Sequence, residues 1–205
     1  MAEVGTVPTH SGRTHSGLSL SGPVAGAPDD ATLVIRAREG DLTAFEALLR
    51  RYQKRIYQLA LRMTSNRADA EDIVQEVFVT AWRRLPEIQR EAAFSGWLYT
   101  TATNRCLTLL RRRRPIAELD DTTTPAANDP MEDPEVAAQT GAQLAALTQA
   151  LGLLTDEQRA VWLLREAHGR SYDEIAHVID TTPDAVRGRL FRARAQLAEA
   201  MSSWH

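Results

Sequence analysis

The residues best equipped for chemistry in this chain are arginines. Of 24 basic residues 23 are arginine, with Lys54 the one lysine, and they are bunched. Arg111 to Arg114 form an unbroken run, and four more lie between Arg187 and Arg194 in RGRLFRAR. A guanidinium presents its donors in a planar fork, a shape that suits a phosphate or a guanine edge. Groups able to carry catalysis are scattered by comparison. Cys106 is the single cysteine and has no neighbouring base, the five histidines are spread out, and no glycine-rich phosphate loop occurs. The spacing Glu174-x-x-His177 has no second copy of the kind helical metal sites use, and His10 and His15 sit in a stretch without periodicity. The expectation is a binding protein, with no catalytic residue, no metal and no cofactor.

The second arginine group must be positioned by Ser171 to Leu197. Ser171 and Glu174 fit a capping box, in which hydroxyl and carboxylate satisfy each other's backbone donors. Ile175, Ala176 and Ile179 then give a short helix its apolar face. Asp180 to Thr182 interrupt it, and Thr182-Pro183 restarts it with an N-cap and a proline at the first helical position. Helix, tight turn and longer helix is the helix-turn-helix unit, whose second helix enters the major groove. At 100° per residue, Val186, Leu190, Ala193, Leu197 and Met201 fall on the side to be buried. Asp184, Gly188, Phe191, Arg192 and Ala195 face outward, with Arg187 and Arg194 on one shoulder and Arg189 on the other.

The first arginine group ends a helix expected from Trp97 to about Arg112, with Ser95 as its cap. Leu98, Ala102, Leu109 and Leu110 mark its core side, while Tyr99, Thr100, Thr103, Asn104, Arg105 and Thr108 are offered outward. Aromatic, amide and arginine side chains beside a loop (Glu87 to Ala93) are the equipment of a single-strand binder. Upstream, Leu42 to Met63 repeats apolar residues at spacings of three and four, a long amphipathic helix. DAEDIVQEVFVTAWRR, from Asp69 to Arg84, follows. It buries Val74, Val77, Phe78, Ala81 and Trp82, and turns Asp72, Gln75, Glu76 and Val79 to another face that reads as protein-binding.

Composition sets the frame. A chain of 205 residues with net charge −3 does not advertise nucleic acid by its total, but the charge is segregated. Ile116 to Gln143 holds seven acids and no Lys or Arg. The fold expected is all-α: residues 1–30 a disordered extension, 31–114 one helical domain, 115–135 a flexible acidic linker, and 136–205 a second helical domain containing the helix-turn-helix. No 18-residue apolar run occurs, so a soluble cytoplasmic chain without membrane insertion is expected.

From Leu33 to Ala200 the chain resembles the extracytoplasmic-function (group 4) sigma factors of bacterial RNA polymerase. The matching stretches are GDLTAFEALLRRYQKRIYQLA, DAEDIVQEVFVTAWRR, FSGWLYTTATNRCLTLLRRRR and LREAHGRSYDEIAHVIDTTPDAVRGRLFRARAQL. The resemblance implies that Asp72, Gln75, Glu76, Phe78 and Val79 bind the clamp of the largest polymerase subunit. It implies that Ile88, Gln89, Arg90, Asn104 and Arg105 read and open the −10 element, and that Arg187, Gly188, Phe191 and Arg192 read the −35 duplex. It further implies a contact with the flap of the second polymerase subunit, and control by an anti-sigma factor. Two features depart from the family pattern: Gly188 stands where a serine is usual, and the N-terminal extension is not shared. The competing expectation is a two-domain helix-turn-helix regulator that binds duplex DNA without polymerase.

Overall fold

The computed structural model describes residues 28–88, 90–113 and 146–202, and the regular structure among them is helical, with no strand. Helix boundaries follow local chemistry. Asp29 caps α1 (Asp30–Arg38), accepting from the Thr32 amide at 2.8 Å. Gly40, at φ +95°, then takes a left-handed turn that a side chain would disfavour. Asp41 starts α2 (Leu42–Thr64), accepting from the amides of Thr43 (2.9 Å) and Ala44 (3.2 Å). Its hydrogen bonds to Thr43 and Arg36 hold its carboxyl at about 2, well below the usual range. Ser65 at φ 52° ends α2, and Asn66 caps α3 (Arg67–Arg84). Pro86 stops α3 in a short 3₁₀ turn.

A second 3₁₀ turn, Glu91–Ala93, runs straight into α4 (Phe94–Arg113). The helix therefore begins before Ser95, which is not its cap. Ser95 instead lies within hydrogen-bond reach of Arg170.

In the second half, α5 covers 146–152, and Thr155 and Gln158 form the expected capping box of α6 (Asp156–Trp162). A π-helical turn, Leu163–Ala167, then widens the coil before Gly169 reverses it at φ 65°. Next come α7 (Tyr172–Val178) and α8 (Pro183–Ser202).

The long helix α2 is the spine of the first set, packing against α1, α3 and α4, while α8 packs on α6 and α7. Leu48, Ile56, Leu59, Leu98, Leu163, Leu164 and Ile175 are each at most 1% exposed. A fully buried side chain of this size stabilises by about 1.5–3 kcal/mol. The two sets are not independent. The helix α4 touches both α6 and α7, α2 touches α6, and the buried residues form one continuous cluster from Leu33 to Leu197. Among the described residues, no helix is long and apolar enough to cross a membrane.

Candidate nucleic-acid interface

The helix-turn-helix is built by local polar chemistry. Ser171 and Glu174 exchange the two bonds of the capping box at 2.7 and 3.2 Å. Asp180 turns the chain at φ 50°, and the Thr181 amide returns to the Ala176 carbonyl at 2.9 Å. Thr182 accepts from the Ala185 amide at 3.2 Å, so Pro183 opens α8 with its missing donor unneeded. Val186, Leu190, Ala193 and Leu197 are buried as the periodicity requires. Met201 is not. It lies in the last turn of α8 and is 50% exposed.

The arginines of α8 are unequal. Arg189 braces the motif, its guanidinium bonding Thr181 at 3.0 Å and pairing with Glu157 at 2.8 Å. Arg194 pairs with Glu166 at 2.5 Å, and Arg187 pairs with Asp184. Arg187 also lies 5.2 Å from the Tyr172 ring centroid, whose ring Arg165 approaches at 4.7 Å. Arg192 is exposed and makes no ion pair among the described residues. Phe191 beside it is 75% exposed. A Cβ added at Gly188 would meet only an Arg192 guanidinium nitrogen, at 3.8 Å, so the chain itself does not demand glycine there.

The residues expected to meet single-stranded DNA lie at the start and middle of α4. Ile88 is half-buried, and its carbonyl accepts from Arg38 at 2.5 Å; the same guanidinium pairs with Glu91 at 2.9 Å, which fixes the turn. Arg90, Asn104 and Arg105 are exposed, whereas Gln89 lies outside the described residues. Tyr99 and Thr103 depart from expectation: they are 1% and 0% exposed. The covered arc of α4 is wider than the apolar spacing alone suggests, because α6 and α7 pack on this helix as well as α2 and α3.

On α3, Asp72, Gln75, Glu76 and Val79 are exposed and share a face, and Glu76 pairs with Arg105 at 3.3 Å. Trp82, expected in the core, is 40% exposed and packs edge-on to Phe45. Phe78, grouped by resemblance with the binding face, is 5% exposed and lies in the core, so it holds α3 in place without reaching solvent. The single cysteine is inert: burial pushes the Cys106 thiol up to about 12.

The contact between the two sets was not legible from the sequence. Arg170 stacks over Tyr99 at 4.1 Å and reaches Ser95 at 3.4 Å and Glu174 at 3.1 Å. The Tyr99 hydroxyl is 3.2 Å from His168 Nδ1. Beside them an open cleft of about 490 Å³ is lined by Ser95, Trp97 and Thr100 of α4 and by Asp173, Glu174 and His177 of α7. Two acids thus face the stretch of α4 that the sequence offers to unpaired bases.

Burial first, and then Arg62, Arg170 and Arg55, depress His168 to about 4, so it is neutral in the fold. Its folded value lies below its ordinary one. Stability is therefore full above pH 6.5 and falls as the pH drops towards 4, because the unfolded chain takes up a proton that the folded one refuses. For this partly exposed group the loss at pH 5 should be on the order of 1 kcal/mol. Thermal melts of wild type and His168→Gln at pH 7.5 and 5.0 would read it. The wild type should lose more stability than the variant, and equal losses would remove His168 from the account.

Comparison with known proteins matches both helix sets to one family. Family models described as Sigma-70 region 2 and Sigma-70, region 4 match residues 48–116 and 144–197. The RNA polymerase sigma-H factor of Pseudomonas aeruginosa is 35% identical over 181 residues, which cover 84% of this chain and 93% of that protein. The ECF RNA polymerase sigma-E factor of Escherichia coli K12 is 33% identical over 173 residues, covering 80% and 90%. Among solved structures, CnrH in complex with the cytosolic domain of CnrY aligns with a TM-score of 0.65 at 28% identity, covering 85% of this chain and 97% of that one. RpoE from Bartonella quintana, in complex with the anti-sigma factor NepR, shares the fold at a TM-score of 0.64 and 24% identity, covering 78% and 98%.

Proposed function

The chain belongs to the extracytoplasmic-function branch of the sigma-70 family, and from that premise we propose how its surfaces divide the work. It is a transcription initiation factor that directs RNA polymerase to particular promoters. The exposed α3 face of Asp72, Gln75, Glu76 and Val79 grips the clamp of the largest polymerase subunit, with Phe78 supporting it from within. The turn at Ile88 to Arg90, with Asn104 and Arg105, reads the opened −10 strand. Arg187, Gly188, Phe191 and Arg192 address the −35 duplex, and the helices around them meet the flap of the second subunit. The functional limits are 31–114 and 136–205, joined by the acidic segment 115–135, all of which lies outside the described residues, as do residues 1–27.

The observation that supports this division is the exposed Asn104 and Arg105 on α4, a polar and basic surface separate from α8 and tied to the α3 face through the Arg105–Glu76 pair. A regulator confined to duplex DNA has no use for it. Action is by binding, in the cytoplasm, without cofactor or catalysis. CnrH was solved with a protein partner, and by that likeness we assign this chain a protein inhibitor of the anti-sigma kind.

The test is affinity for core polymerase. Asp72→Ala combined with Gln75→Ala should weaken binding by about tenfold or more, since contact residues at a hot spot each cost over about 1 kcal/mol when truncated. Both side chains are exposed, so helicity by circular dichroism should be unchanged. Wild-type affinity for core in the double variant would overturn the assignment of this face.

A further inference from the structure

We propose that Asp184 is a base-reading residue of α8, selecting a cytosine at one base pair of the −35 duplex. The inference rests on α8 being the −35 reading helix. Asp184 is the second residue of that helix, and its side chain is 90% exposed. It shares the outward face with Gly188, Phe191 and Arg192, at steps of four, seven and eight residues. The only other acid of α8 is Glu199, near the far end. In a helix-turn-helix the N-terminal residues of the recognition helix contact base edges.

A carboxylate on that face enters a groove walled by phosphates, where it is repelled unless a donor meets it. Two bases offer donors in the major groove, adenine at N6 and cytosine at N4. Adenine sets the N7 acceptor beside its donor, and a carboxylate, which only accepts, is repelled by it. Cytosine presents N4–H₂ flanked by its own C5–H, with no acceptor of its own on the groove edge, so it is the base an aspartate selects. Arg187, one turn on, pairs with Asp184 and offsets its charge while keeping the carboxylate at the outer edge of the helix. The helix-starting bond is made by Thr182, not by Asp184, so the carboxylate is not consumed as a cap. The plain alternative is that an acid in a first turn merely complements the helix dipole. That role would affect every promoter alike.

The experiment uses holoenzyme reconstituted from core polymerase and the full chain, on a promoter series with each −35 base pair changed to all four bases. Initial transcription rates are compared for wild type, Asp184→Ala, Asp184→Asn and Arg192→Ala. Wild type should prefer cytosine about tenfold at one position, the scale of a single base contact. Asp184→Ala should abolish that preference and raise the rates with the other three bases. Asp184→Asn should move the preference towards adenine, whose N6 and N7 an amide can meet together. Arg192→Ala should lose selectivity at a different position. Equal change on every −35 variant for Asp184→Ala, with a position-specific loss for Arg192→Ala, would overturn the role of Asp184 alone. Position-independent behaviour of all three variants would instead overturn the assignment of α8 to the −35 element, and the proposal with it.

Discussion

Arg159→Ala should destabilise the chain by about 3 kcal/mol, lowering the thermal midpoint by roughly 6–12 °C for a chain of this size. Arg159 is 6% exposed, and its donors are spent on carbonyls. Nε donates to Leu151 at 2.8 Å, Nη1 to Met63 at 2.8 Å, and Nη2 lies 3.3 and 3.4 Å from the carbonyls of Gly152 and Leu154. Leu151 and Gly152 end α5, and Met63 lies in the last turn of α2, where helix carbonyls have no partner of their own. One cation therefore serves the negative ends of two helices from different halves of the chain. Truncation leaves buried acceptors unpaired, and each costs about 1–3 kcal/mol if water cannot reach it. Arg159→Lys should recover little, because a compact ammonium cannot span this spread of acceptors. Thermal denaturation followed by circular dichroism is the check. A midpoint within two degrees of wild type for Arg159→Ala would show that water or neighbouring donors replace the guanidinium.

The second large effect concerns selectivity. Arg192→Ala should cost about 1–3 kcal/mol of discrimination at a single −35 base pair, whereas Arg187→Ala should weaken all promoters alike and lower the salt slope by about one unit. The two arginines are five residues apart but differently committed. Arg187 is tied to Asp184 and lies over Tyr172 on the shoulder of the helix, a position suited to phosphate. Arg192 stands outward beside exposed Phe191, with no ion pair among the described residues to break before it forks onto guanine O6 and N7. Holoenzyme transcription on −35 variants at several salt concentrations separates the roles. Equal losses for both variants on every sequence would leave Asp184, Phe191 or DNA shape as the source of selectivity.

What the sequence made legible was whatever depends on near neighbours. Both capping boxes, the Thr182-Pro183 restart and the buried stripe of α8 are decided within a few residues, so spacing alone revealed them. The exposed face of α3 followed from the same periodicity. What escaped was set by distant chain. The Met63 carbonyl lies 96 positions from Arg159, and nothing around Thr155 signals that an arginine in the middle of α6 will be buried. Tyr99 and Thr103 looked outward because the local spacing marks a narrow covered stripe, while α6 and α7, distant in the chain, also pack on α4. Trp82 went the other way: an aromatic in an apolar stripe is expected inside, but its ring sits at the edge of the α2–α3 contact.

The single core shared by the two helix sets has a thermodynamic consequence for every partner that needs them apart. Such a partner binds only the fraction of molecules already open, and its apparent dissociation constant is the intrinsic one divided by that fraction. Loosening the Arg170–Tyr99 stack or the Arg159 bridge would raise the open fraction, tightening the apparent hold of an opening partner without adding a contact to it. A partner that prefers the closed arrangement would lose affinity by the same reasoning. The seam between the halves thus acts as a common tax on one class of ligand and a subsidy to the other.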